Sequence, residues 1–157
     1  MEANIGLTQK DTKEVVGILN TLLSDQHILY MKLRNYHWNI EGASFLELHT
    51  FFEKLYNELE GIIDLTAERI RKLGKKPLGS FKEFLENANL KEAKSGVSDS
   101  KTILEDLLNS YESTIIWMRE NIETVSEEKD YGTEDMLVGI MKSCEEAAWM
   151  LRAYLSK

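Results

Sequence analysis

The 157-residue chain has one proline, one cysteine and three histidines. Each scarcity excludes something. A single proline leaves room for long uninterrupted helices. A lone thiol, Cys144, cannot form an intrachain disulfide, so nothing calls for an oxidising compartment. No apolar run approaches the roughly 20 residues that span a bilayer, and the opening residues lack a basic stretch followed by an apolar one. A cytoplasmic protein without membrane attachment is expected. Basic arms are missing at both ends, and the net charge is −8, which disfavours a phosphate backbone as partner. The densest basic cluster is Arg69, Arg71, Lys72, Lys75 and Lys76. It falls at a helix end, where cations complement the helix dipole.

What is abundant is helical periodicity. Val15, Leu19, Leu22, Leu29, Leu33, Tyr36 and Ile40 form one stripe, interrupted by Gln26. Steps of three and four put these residues on one face of a helix. Thr8, with Asp11 three residues on, signals its start, and Gly42 breaks the chain after it. A second helix is expected from Ser44, with Glu47 completing a capping box. Its core stripe is Leu48, Phe52, Leu55, Leu59, Ile62 and Ile70, and Gly74 and Pro77 stop it. A connection of about two dozen residues follows, with Ser80 and Glu83 marking a short helix. A third long helix carries Leu104, Leu107, Leu108, Tyr111, Ile115, Met118 and Ile122. A fourth carries Leu137, Ile140, Met141, Cys144, Ala148, Leu151 and Leu155, after an acidic loop. Short links within each pair and a long crossover between pairs define an all-α, ferritin-like four-helix bundle, one domain over residues 1–157, with its second and third long helices parallel.

Metal-binding residue types cluster on the first two helices. His37 closes the first. On the second, His49 is followed one turn later by Glu53, and Asp64 one turn later by Glu68. Residues four apart share a face. Eleven residues from Glu53 to Asp64 keep that face but add about 16 Å of rise, so one helix cannot bring both pairs to one metal. Either other helices of the same chain complete each site, or a second copy lies antiparallel across a two-fold axis near residue 58 or 59. The second arrangement is favoured because in-bundle di-iron proteins use Glu-x-x-His, which this sequence lacks, and its last helix has no histidine. Imidazole with carboxylates and no thiolate suits iron, manganese or zinc. Taken singly, such acid and histidine spacings also arise on solvated helix faces. His27 has no acidic partner at matching spacing and reads as structural. Trp38, Trp117 and Trp149 read as core or interface residues, and Cys144 as a packed, inert thiol.

The run His37-Trp38-Asn39-Ile40-Glu41-Gly42 with His49 and Glu53, and the run Ile63-Asp64-Leu65-Thr66-Ala67-Glu68-Arg69 with Gly74 and Pro77, resemble the two signatures of the Dps proteins, or miniferritins. The resemblance implies a hollow shell of twelve subunits with ferroxidase sites between two-fold related chains. His37, His49 and Glu53 would come from one subunit and Asp64 and Glu68 from its partner, holding two iron ions per site. Fe(II) would react with hydrogen peroxide, and the ferric product would be stored inside. Trp38 corresponds to a tryptophan near that site and would intercept stray oxidising equivalents. Glu53 stands where many members have aspartate, and its extra methylene bears on the second iron. Thr66 replaces a usual aliphatic residue, with little effect expected. DNA-condensing members often use lysine-rich tails, which this chain lacks. The resemblance also places the acidic segment, with Glu127, Glu128, Asp130, Glu134 and Asp135, near three-fold pores. Asp130, Glu134 and Asp135 are the candidates for lining them. A DNA-compacting protein and a helical assembly without metal chemistry are the rival readings.

Overall fold

A computed structural model describes residues 3–156. Five helices follow in order: α1 (Gln9–Asn39), α2 (Phe45–Lys72), α3 (Phe81–Asn87), α4 (Ser100–Glu127) and α5 (Tyr131–Leu155). The long helices form two antiparallel hairpins, α1–α2 and α4–α5, joined by the crossover that contains α3. Glu41 and Asp99 form an isolated parallel bridge, with the Glu41 N–H donating to Ser98 O at 3.0 Å. That contact brings the starts of α2 and α4 to one end of the bundle. The two helices therefore run parallel, as the long crossover requires. Among the described residues, no helix is long and apolar enough to cross a membrane.

Helix boundaries follow local chemistry with one exception. Gly74, at φ +81°, ends α2. Its N–H bonds to Arg71 O, and the Lys75 N–H bonds to Ile70 O, the paired bonds of a Schellman stop. Ser80, in extended conformation, makes the full capping box with Glu83. Ser44 does not make the box expected with Glu47. Its φ of −96° and ψ of 22° lie outside the extended region from which a cap side chain reaches the third residue, and its hydroxyl makes no cap bond. The turn into α2 rests on the backbone instead, Phe45 N–H to Gly42 O. At the start of α1, Thr12 bonds through both N–H and hydroxyl to Thr8 O. The side chain of Asp11, the other half of that expected signal, lies outside the described residues.

The predicted stripes meet in one core, with Leu19, Leu22, Leu33, Tyr36, Phe52, Leu107 and Leu151 almost wholly buried. Several polar groups are buried with them. Asp25 accepts from the backbone N–H of Asn89 and Leu90 and from the Asn89 amide, fastening the crossover onto α1. Burial outweighs those bonds and raises its pKa above the ordinary carboxylate range. Lys32, 4% exposed, meets Asp106 at 2.8 Å and Ser110 Oγ at 2.9 Å, and the Tyr36 hydroxyl donates to Asp106 at 2.6 Å. This network ties α1 to α4. Gln26, the break in the α1 stripe, donates to Thr66 Oγ1 on α2 at 3.1 Å. His27 stacks on Phe84 of α3, ring centroids 3.8 Å apart, a packing role as expected. Trp117 is half-buried, whereas Trp149 lies open on α5, so within one chain it is not a core residue.

Cys144 is buried on α5, and burial pushes its thiol up to about 12. At pH 7 the thiolate fraction is then on the order of 10⁻⁵, and only the thiolate reacts. The native protein should resist a thiol-specific reagent and peroxide alike, and the thiol should titrate after denaturation. Rapid labelling of the native chain would show that this face of α5 opens.

A histidine pair at the α1–α2 corner

His37 lies in the last turn of α1 and His49 in the second turn of α2. The antiparallel hairpin brings their rings face to face, centroids 3.7 Å apart and planes 19° from parallel. His37 Nδ1 is 2.8 Å from His49 O, and His49 Nδ1 is 2.8 Å from His37 O. The local reason is the helix end. The last carbonyls of a helix have no intrahelical partner. The Glu41 N–H, which would otherwise reach His37 O, is spent on Ser98 O, and His49 takes the vacant acceptor. A carbonyl oxygen only accepts, so both Nδ1 atoms carry hydrogen. In each neutral ring that leaves the lone pair on Nε2, the tautomer a metal ligand needs, held by a bond at the other nitrogen.

Aromatic and charged groups frame the pair. Tyr56 stands edge-on to His37 at 5.3 Å, and Phe45 stacks on His49 at 5.1 Å. Glu53, on the same face of α2, is exposed and lies 3.5 Å from the Tyr56 hydroxyl. Burial and the Glu53 carboxylate raise the Tyr56 pKa. The Arg34 guanidinium lies over Tyr56 at 4.7 Å, Trp38 at 5.2 Å and Tyr30 at 5.7 Å. Trp38 is 56% exposed. Its recorded partner is Arg34, and the ring standing on His37 is that of Tyr56. Arg34 and Tyr56 were not singled out from the sequence. Spacing could have found them: Tyr56 is seven residues beyond His49 and Arg34 four before Trp38, each on a shared helix face.

Asp64 and Glu68 occupy the far half of α2, both exposed. Asp64 lines an open groove between α2 and α3 with His27, Phe81 and Phe84. Glu68 pairs with Lys72 at 3.3 Å, an exposed contact worth a few tenths of a kcal/mol, roughly 0.3–0.5. The structure thus joins His37 to His49, sets Glu53 one turn beyond His49 against the Tyr56 hydroxyl, and leaves Asp64 and Glu68 apart. Among the described residues, no group of three or more His, Cys, Asp or Glu in one chain comes close enough to hold a metal. Imidazole nitrogens and free carboxylates are donor types that suit iron.

The acidic segment differs from expectation. α4 runs to Glu127 and α5 starts at Tyr131, so the supposed loop is a three-residue corner. Asp130 is buried and caps α5, accepting from the Thr133 N–H and hydroxyl. It also pairs with Arg69 at 2.5 Å. With both oxygens engaged, Asp130 is a structural cap and not an open pore acid. Glu134 and Asp135 remain accessible in the first turn of α5. Arg69, read from the sequence as a dipole partner, also donates to Thr133 Oγ1 and clamps α2 to α5. Its guanidinium passes so close to Gly132 that a Cβ there would sit 3.0 Å away.

A ferritin-like domain model matches residues 16–157. The DNA protection during starvation protein 2 of Bacillus anthracis is 37% identical over 145 residues, covering 92% of this chain and 99% of that one. The DNA protection during starvation protein of Porphyromonas gingivalis is 38% identical over 152 residues, covering 97% and 95%. The solved Dps protein of Vibrio cholerae O1, described as one of the ferritin-like diiron-carboxylate proteins, superposes with a TM-score of 0.93 at 34% identity, covering 99% of this chain and 98% of that one. The fold and matched sequence place the chain in the ferritin-like superfamily, and it belongs there to the Dps family.

Removing one partner of a buried ion pair costs about 3–5 kcal/mol. Asp130→Ala should therefore lower stability by about 3 kcal/mol, with α5 amides exchanging faster at the Tyr131 end. A denaturation midpoint unchanged from the parent would contradict the clamp.

Proposed function

We propose that this protein oxidises Fe(II) at sites shared between two subunits and stores the ferric product inside a hollow shell, removing free iron and peroxide from the cytoplasm. The observation that carries the reading is the histidine pair, with both Nδ1 atoms spent on carbonyls and both Nε2 atoms left as ligands. Glu53 lies next to them, and the remaining acids, Asp64 and Glu68, are exposed on the same helix where a two-fold partner would meet them. The resemblance to the Dps family implies the assembly, a shell of twelve.

In this reading Fe(II) is a substrate. His37, His49 and Glu53 bind it from one chain, and Asp64 and Glu68 bind it from the other. Glu68 bridges two irons after giving up its weak contact with Lys72, and Asp64 binds one. Hydrogen peroxide, the preferred oxidant, accepts one electron from each Fe(II) and two protons, and leaves as two waters. No odd electron remains to make hydroxyl radical. Where only one iron is bound, Trp38 serves as the second electron donor, and Arg34 joins it to Tyr56 against His37. The ring of open acids, Glu134 and Asp135, draws Fe(II) towards a pore by focusing a cation field. The net charge of −8 disfavours DNA as the main partner. A gel shift at low and moderate salt should give no stable complex, and a retained complex at moderate salt would favour the DNA-compacting reading.

The direct test is anaerobic Fe(II) loading followed by peroxide. Ferric absorbance should rise rapidly, with the iron soluble and eluting with a large particle. The double variant His37→Gly/His49→Gly should assemble but oxidise at least about tenfold more slowly, the usual lower bound for losing metal-site contacts. Equal rates would remove the pair from the mechanism.

A further inference from the structure

The interior of the bundle holds a second polar site, unconnected with the histidine pair. Between α1, α2, α4 and α5 the packing leaves a small cavity, lined mainly by apolar side chains such as Leu22, Leu29 and Ile140. It offers about 30 Å³ for the centre of a water molecule, where about 10–15 Å³ holds one. The space therefore fits one or two waters and no larger ligand.

Two of the lining residues, Gln26 and Tyr111, each carry one polar atom without a hydrogen-bond partner among the described residues. Gln26 is 4% exposed. Thr66 Oγ1 donates its one proton to Ile62 O at 2.9 Å, so it can only accept from Gln26, which fixes the amide with Nε2 towards Thr66. Oε1 is the end left over, buried and with no hydrogen-bond partner among the described residues. Leaving such an acceptor unmet costs about 1–3 kcal/mol. Tyr111 also lines the cavity. It is buried, and no hydrogen bond of its hydroxyl is found among the described residues. Burial holds the phenol well above its ordinary range, so it stays a donor. At the lip stands Glu58, its side chain 54% exposed.

We propose that this cavity is a hydration site, holding an ordered water that donates to Gln26 Oε1, accepts from Tyr111 Oη and directs its other O–H to the Glu58 carboxylate. Three bonds are what a buried water typically makes. The site explains why α1 places an amide in the middle of its apolar stripe, and why α2 answers with Thr66 at a position where an aliphatic side chain would pack as well. The Gln26–Thr66 pair presents an acceptor to the water and so hydrates the seam where the two hairpins meet.

The test is a high-resolution crystal structure of the assembled protein. A single compact density peak within hydrogen-bond distance of Gln26 Oε1 and Tyr111 Oη is expected in each chain. A dry cavity, a peak too long for water, or an amide turned to bond elsewhere would overturn the proposal. Tyr111→Phe keeps the ring and removes the donor, so the peak should be lost or much weakened. A peak unchanged in that variant would overturn the role given to Tyr111.

Discussion

Two reciprocal hydrogen bonds between His37 and His49 set much of the rest. They close the α1–α2 corner where the outgoing helix has run out of N–H donors, and they do so with side chains whose other nitrogens then face outward. One contact therefore finishes a helix, aligns two antiparallel helices in register and chooses a tautomer. Moving α2 by one residue would turn His49 about 100° round the helix, and both bonds would fail together. The stripe that buries Leu48 and Phe52 against α1 enforces the same register. Packing and the histidine hydrogen bonds thus agree on a single alignment.

The other polar groups of the interior act at a distance from that corner but on the same problem, holding four helices in one arrangement when their apolar faces alone would tolerate sliding. Asp25 fixes the crossover, Lys32 and Asp106 fix α1 to α4, and Arg69 and Asp130 fix α2 to α5. Buried ionic groups add little net stability, because desolvation offsets the attraction. Their effect here is to make wrong alignments expensive, since a shifted helix would strand a charge away from water.

Much of this could be read from the sequence. The stripes marked out four long helices, Gly74 and the Ser80–Glu83 pair marked two boundaries, and the eleven-residue gap on α2 already meant that one helix cannot bring His49 and Glu53 together with Asp64 and Glu68. What could not be read depends on backbone angles or on distant partners. Ser44 has the right residue type for a capping box and the wrong φ and ψ. Gln26 looked like an interruption because its partner, Thr66, is forty residues away. Asp130 stood in a run of acids that composition treats alike, but the capping geometry of α5 and the reach of Arg69 single it out. Trp38 follows His37 in sequence, but successive helical residues point about 100° apart, and that turn gives the place beside the histidine ring to Tyr56.

The hairpin architecture also has a kinetic meaning. The α1–α2 and α4–α5 pairs join helices adjacent in chain order, whereas the seams between hairpins are sparser. Proteins rich in local contacts fold fast, so each hairpin can form early and alone. Docking them removes water from Lys32 and gives it Asp106 and Ser110 of α4 in exchange. The long crossover is the tether that holds the two halves of the chain within reach of each other while those seams close.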